Sequence, residues 1–301
     1  LYFLPTSDQS DLQRGVRDVL NDRFPLDRLP GGYDADLWDG LTEVGVFSLR
    51  SELGLGHAEC VLVFEELGRA AVPGPLVGTM LAAGHVDGPV AYADPHGSPL
   101  LVAHLDVAKA VLVLDDAGAR IVPPMPGIAL LEPLDSLTPL HEVTLPDGGG
   151  DRLDVDTVAL RTSGAVLTAA LQVGLASRLT DLAVEYAKQR EQFGKVIGSF
   201  QAVKHICADM YVRAELARAA VHAAALTIDD PSIGDPQRAT AGAKLLADEA
   251  ATLNGRSCVQ VHGGMGFTWE VPVHYLLKRA WVHATEFGSP DEQALAVADR
   301  L

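Results

Sequence analysis

Cysteine is scarce in this chain: Cys60, Cys207 and Cys258 are the only three among 301 residues. The number is odd, the spacing wide and the neighbours mostly apolar, which excludes a disulfide frame and predicts buried thiols in a reducing cytoplasm. Cys258 and His262 share a C-x-x-x-H spacing, but no second Cys/His pair stands close enough in sequence to complete a zinc site, so no metal is expected. Basic residues are also few. Twenty-three Lys and Arg face 40 Asp and Glu, a formal charge of −17, and this excludes nucleic acid, whose binding begins with a basic surface. No run of 18 uninterrupted apolar residues occurs, so no membrane span is expected. The start, Leu1-Tyr2-Phe3-Leu4, lacks an initiator Met and the basic-then-apolar layout of a signal peptide, and reads as a remnant of a cloning tag.

What is present describes a soluble globular chain, 48% apolar and 21% charged, long enough for two or three packed units. Residues 1–88 read as helices joined by Pro/Gly-rich turns. Leu12, Val16, Val19 and Leu20 share one helical face, Leu37-Trp38 with Leu41 and Val61, Val63, Phe64 and Leu67 form further stripes, and Pro73-Gly74-Pro75 interrupts them. Over 89–155 the period shortens to that of strands. Val90-Ala91-Tyr92-Ala93, Leu100-Leu101-Val102-Ala103, the run from 108 to 114, Ala119-Arg120-Ile121-Val122 and Glu142-Val143-Thr144-Leu145 suit a small antiparallel β domain. Asp116-Ala117-Gly118, Pro123-Pro124 and Gly148-Gly149-Gly150 punctuate it.

From 156 to 301 the period is helical again. Leu167, Leu171, Leu175, Leu179, Leu182 and Tyr186 recur at three or four residues, and Val203, Ile206, Cys207, Met210, Tyr211 and Ala214 form a second stripe. Ala-rich stretches allow close approach within a bundle. Ser289-Pro290-Asp291-Glu292 sets a cap and a first-turn proline for a last helix.

Three segments of this C-terminal part carry chemistry. Arg190-Glu191-Gln192-Phe193-Gly194 supplies a cationic fork at a helix end, a neutral donor and an apolar wall, which together suit a pyrophosphate. Phe200-Gln201 follows. Gln260-Val261-His262-Gly263-Gly264 ends in glycines that let a backbone approach a ligand closely. Each has a plainer alternative: Gly263-Gly264-Met265-Gly266 alone is a helix-ending turn, and Arg190 alone is a solvated helix-end charge.

In this order and at this spacing the three segments resemble the C-terminal domain of acyl-CoA dehydrogenases. Glu65-Glu66-Leu67-Gly68-Arg69 and Pro73-Gly74-Pro75 resemble that family's N-terminal helical domain, although by themselves the two glutamates read as the acidic solvated face of an ordinary helix. The resemblance implies a mainly α fold with a small β domain: an N-terminal helical domain, a middle antiparallel β domain and a C-terminal four-helix bundle. It implies FAD as cofactor, held between neighbouring subunits, with Arg190, Gln192, Phe193, Phe200, Gln201, Gln260, Gly263 and Gly264 as its binding residues.

The same resemblance exposes two losses. Desaturating an acyl-CoA needs a carboxylate to remove the α-proton while the flavin accepts the β-hydride. One family position for that base falls here on Phe287, in Glu286-Phe287-Gly288-Ser289, and the other on Gly164; neither side chain accepts a proton. Glu286, one position early, is the sole displaced candidate. The family's flavin-ring stretch, of the form Thr-Glu-Pro-x-x-Gly-Ser-Asp, is missing between Val77 and Asp154, where 95–99 and 123–126 read as plain turns.

These losses imply a catalytically silent subunit of a heterotetrameric (α2β2) bacterial steroid-type acyl-CoA dehydrogenase. Its homologous partner would carry the glutamate, its substrate would be an acyl-CoA with a steroid side chain, and its electron acceptor an electron-transfer flavoprotein. Two other readings stay open: a complete homo-oligomeric dehydrogenase using Glu286, and a flavin-free structural pseudoenzyme.

Overall fold

The computed structural model describes residues 4–95, 99–129, 132–145 and 149–300. The tag reading of residues 1–3, the turn at 96–98 and the first glycine of the 148–150 run lie outside the described residues. The chain divides into two compact units, one made of 1–29, 57–72 and 165–301, the other of 30–56 and 73–164.

The first unit is helical. Its helices are α1 (Ser7–Arg23), α3 (His57–Arg69), the greater part of α5 (Thr157–Gln189), α6 (Gln201–Asp229), α7 (Pro236–His262), α8 (Val273–His283) and α9 (Pro290–Ala298). Local chemistry starts them, for α9 at the Ser289 cap that the sequence predicts. Thr6 and Gln9 form a capping box on α1, and Ser289 and Glu292 form another on α9. The N-terminus of α3 is capped from a distance: the Asp229 carboxylate, at the end of α6, accepts from the backbone N–H of His57 at 2.9 Å and of Ala58 at 3.0 Å.

The expected four-helix bundle consists of α5, α6, α7 and the shorter α8, with α9 as a fifth helix. Polar hubs hold it in register. Asn254, fully buried, donates to Ala176 O, Thr180 Oγ1 and Met210 O and accepts from Arg213 Nε, so that one α7 side chain ties α5 to α6. Lys244 Nζ donates to Asp248 at 2.7 Å and to His283 O at 3.1 Å, and Gln172 reaches both Asp248 and Ala280 O. Part of α5 is apolar enough by length and composition to cross a membrane, but 72% of that window is buried. It is the core helix of the bundle.

Where α3 and α5 cross, their backbones touch. A Cβ on Gly68 would stand 2.1 Å from Leu171 O, and one on Gly174 would stand 2.0 Å from Glu65 O. Glu65 and Glu66, read from sequence as a solvated face, are 4% and 1% exposed. Arg218 Nε binds Glu65 at 2.9 Å, and Arg17 grips Glu66 with two nitrogens at 2.7 and 2.6 Å. Burial works to raise the Glu65 carboxyl, but His222 and Arg218 hold it below the ordinary carboxylate range.

The second unit holds α2 (Ala35–Glu43), α4 (Leu76–Leu81), the start of α5 and two sheets. Strands β1 (Val90–Ala93), β3 (Ala110–Asp115), β4 (Gly118–Val122) and β7 (Asp151–Leu153) form one sheet, in the order β1-β3-β4-β7. Strands β2 (Leu101–Ala103), β6 (Leu140–Val143) and β5 (Gly127–Ala129) form the other, in the order β2-β6-β5. Ala91, Val102, Val111, Val113, Val122 and Val143 share one apolar cluster. Pairing is antiparallel except between β1 and β3, which run parallel. That pair departs from the all-antiparallel expectation because the chain crosses to the second sheet through β2 before returning beside β1. Two of the strands, β5 and β7, carry no apolar alternation; every residue of β5 is exposed.

Candidate functional site

All eight predicted cofactor residues lie in the first unit, near the ends of α5 and α7 and the start of α6. Helix α5 stops at Gln189, and the chain turns back in a two-stranded hairpin, β8 (Glu191–Gln192) and β9 (Lys195–Val196). Its two loop residues, Phe193 and Gly194, have φ of 53° and 74°, the pattern of a type I′ turn. Glycine adopts that conformation freely, but phenylalanine is strained in it. The ring gains no burial in return. Phe193 is 91% exposed.

Short backbone bonds fix the hairpin to the helix. Arg190 N–H donates to Tyr186 O at 2.9 Å, and Arg190 O accepts from Ile197 N–H at 2.7 Å. Phe200, the residue before α6, stands edge-on to Phe193 with ring centres 6.2 Å apart, and Lys195 Nζ lies 4.5 Å from the Phe200 ring centre. Gln201 is the first residue of α6.

Helix α7 ends at the same place. Tyr186, near the end of α5, stacks on His262, the last residue of α7, with ring centres 4.2 Å apart. His262 is buried, and its Nδ1 lies 2.8 Å from Cys258 O, an acceptor, which assigns the proton to Nδ1. Burial lowers its pKa. The C-x-x-x-H spacing is therefore one turn of helix bonding back on itself. Burial likewise pushes the Cys258 thiol up; Cys207, expected buried, is only partly so.

Gly263 caps α7 with φ of 60°, so the plain helix-ending role is fulfilled. A second property distinguishes this turn from a packing turn: a Cβ on Gly263 or Gly264 would meet nothing within 4 Å. Arg190, Gln192, Gln201, Gln260, Gly263 and Gly264 are all exposed, and Phe200 is half-buried. Sequence reasoning missed the Tyr186 and His262 stack that joins the two segments; Tyr186 read as a stripe position and His262 as half of an incomplete C-x-x-x-H pair. Just beyond the glycines, Phe267, at the end of the third segment, and Trp269 are 78% and 69% exposed, and the sequence reading gave neither a role.

The base positions lie elsewhere. Phe287 has φ of 52°, and its carbonyl accepts from the Gln293 amide. Gly164 lies within α5. Glu286 is engaged with its own helix end, its carboxylate 2.7 Å from His283 Nδ1. The neighbouring His283 carbonyl is bound by Lys244, sixteen residues before Gln260 on α7, which sets Glu286 on the order of 24 Å along that helix from the hairpin end.

The sequence model for "Acyl-CoA dehydrogenase, C-terminal domain" matches residues 160–301. The acyl-CoA dehydrogenase IpdE2 of Mycolicibacterium smegmatis is 35% identical over 291 residues, covering 87% of this chain and 86% of its own. The chain belongs to the acyl-CoA dehydrogenase family. Its fold is shared by the solved Tcur3481-Tcur3483 steroid ACAD variant, with 24% identity, 97% of each chain covered and a TM-score of 0.83. The ChsE4-ChsE5 complex from Mycobacterium tuberculosis has it too, with 23% identity, coverage of 100% and 98%, and a TM-score of 0.78.

FAD is the cofactor of acyl-CoA dehydrogenases. The hairpin end fits the dinucleotide half of that molecule. It offers one guanidinium, three side-chain amides, an exposed aromatic ring and a glycine turn with open space in front of it. That is a donor set for an anion and a heterocycle, and it contains no carboxylate acting as a base.

Proposed function

We propose that this chain is the non-catalytic subunit of a heteromeric, FAD-dependent acyl-CoA dehydrogenase. On this reading 1–88, 89–155 and 156–301 are the family's three domains. Arg190, Gln192, Phe193, Phe200, Gln201, Gln260, Gly263 and Gly264 form the adenosine and pyrophosphate arm of a flavin site completed by a homologous partner, which supplies the glutamate base. When bound, FAD supplies the acceptor for the β-hydride of the acyl-CoA. This chain's part is to hold the dinucleotide with Arg190 and the amides and to exclude water with Phe193 and Phe200.

One observation carries the reading: every matched cofactor position but the half-buried Phe200 points to solvent at one end of the bundle, while the family's base positions hold Phe287 and Gly164. An arm whose matching base positions hold no carboxylate has a use across a subunit boundary. The steroid relatives of the fold favour a steroid side-chain acyl-CoA as substrate, in an α2β2 assembly that passes electrons to an electron-transfer flavoprotein.

The test is to purify the chain alone and with the homologue encoded beside it, then record flavin absorbance and acyl-CoA turnover. Stoichiometric FAD with turnover in the isolated chain sinks the split-site reading. Arg190→Ala should lower FAD occupancy of the complex, and Glu286→Gln should leave turnover intact. Loss of turnover in Glu286→Gln would instead favour the homo-oligomeric dehydrogenase. FAD absent even from the complex would favour the structural pseudoenzyme.

A further inference from the structure

Away from the hairpin end, α1, α3 and α5 enclose a cavity of about 270 Å³. Three guanidinium groups line it, Arg17, Arg69 and Arg178, against one carboxylate, Glu66. The pairing is unequal. Arg17 spends its fork on Glu66, and Arg69 uses one nitrogen on Asp181. Arg178 makes no hydrogen bond or ion pair with any described residue, and only the more distant charges of Asp181 and Glu185 favour it.

An unpaired, half-buried guanidinium is expensive, because burial removes water without returning an acceptor. Burial and the neighbouring Arg69 charge accordingly depress the Arg178 pKa. Arg178, with five N–H donors to offer, Arg69 and the exposed Asn21 line the cavity, and Leu20, Phe24 and Leu26 line it as apolar residues. In a chain of net charge −17, this is a local concentration of positive charge with shape and donors for one small anion.

We propose that this cavity is a binding site for a small oxyanion, a phosphate or carboxylate group, gripped by Arg178 and Arg69. The site is separate from the flavin arm: Arg178, in the second half of α5, stands twelve residues before Arg190, about 18 Å of helix, and every residue named in the site belongs to this chain. A ligand with a short hydrocarbon body places its charge on the guanidinium pair and its body on the Leu20 and Phe24 wall.

The purified full-length chain, in chloride buffer and without flavin, is titrated separately with inorganic phosphate and with propionate, following heat and melting temperature. Saturable one-to-one binding of at least one ion is expected, and the preferred ion distinguishes a phosphate source from a carboxylate source. Arg178→Gln should weaken it by about tenfold or more, as loss of a charge-assisted bidentate contact does. Arg178→Lys, which keeps the charge and loses the fork, should weaken it less and serves if the Gln variant fails to fold. No saturation by either ion, or an equal response in wild type and variants, overturns the site. Because no flavin or partner is involved, either result is independent of the split-site reading.

Discussion

Glycine does opposite work in two regions of the helical unit. At the α3–α5 crossing, Gly68 and Gly174 have no room for a Cβ, since the partner backbone stands about where it would go. At the hairpin end, Gly263 and Gly264 have empty space in front of them. The first pair exists so that two helices meet backbone to backbone around buried, fully paired glutamates. The second serves no packing in this chain, and of its two members only Gly263 is required by backbone conformation. A glycine that neither packs nor turns is a mark of something external, which is why the α7 end, and not the crossing, is the candidate site.

The comparison breaks most visibly at the crossing. Gly174→Ala forces α3 and α5 apart at Glu65 O and should cost about 3 kcal/mol, read as a lower midpoint in chemical denaturation. If it is silent, the backbone contact is not what sets the helix spacing. Next in size, Asn254→Ala removes the amide that joins Ala176 O, Thr180 Oγ1 and Met210 O and takes the acceptor from Arg213 Nε, and should cost about 2 kcal/mol in the same assay.

A smaller effect is pH-dependent and local to the α7 end. His262 and His274 both have folded pKa values below the ordinary 6.5, burial being the main cause in each. The unfolded chain therefore takes up protons first as the solution is acidified, so their stabilisation is complete above pH 6.5 and is lost as pH falls through the folded values. The protection of amides over 259–275, referred to the intrinsic exchange rate at each pH, should fall on acidification through that window, and less so in His262→Gln. The smallest expected change is in Gly264→Ala, whose stability should stay within about 0.5 kcal/mol of wild type. Its FAD retention in the complex should nonetheless fall, and a loss of stability equal to that of Gly174→Ala would erase the distinction between the two regions.

Much of this was legible in the sequence, for identifiable reasons. Long amphipathic stripes such as Leu167 to Leu179 declare their helices, and Ser289-Pro290 declares the start of the last. The three C-terminal segments, far apart in sequence, come together at the ends of α5 and α7 and the start of α6, where the sequence expects ligand chemistry because Arg, Gln and Gly-Gly at helix ends are unusual together. The rest depends on partners distant in sequence. Glu65 and Glu66 look solvated until Arg218 and Arg17 arrive from α6 and α1. Tyr211 matched an apolar stripe yet is 60% exposed, since a wide stripe does not say which of its edges faces inward. Strands β5 and β7 are three residues each and largely exposed, too short for a period to register. The oxyanion cavity left no local trace: its arginines come from three helices.

The Phe193-Gly194 turn has a kinetic consequence. A phenyl ring on a flexible loop must be caught in the right orientation by whatever docks against it, and freezing it then slows association and weakens the complex. Here the turn and the two backbone bonds of Arg190, to Tyr186 in α5 and to Ile197 just beyond β9, set the backbone that carries the ring when the chain folds. Under the split-site proposal, docking begins with the ring already presented, so a variant that loosens the turn, such as Gly194→Val, should slow assembly before it weakens the finished complex.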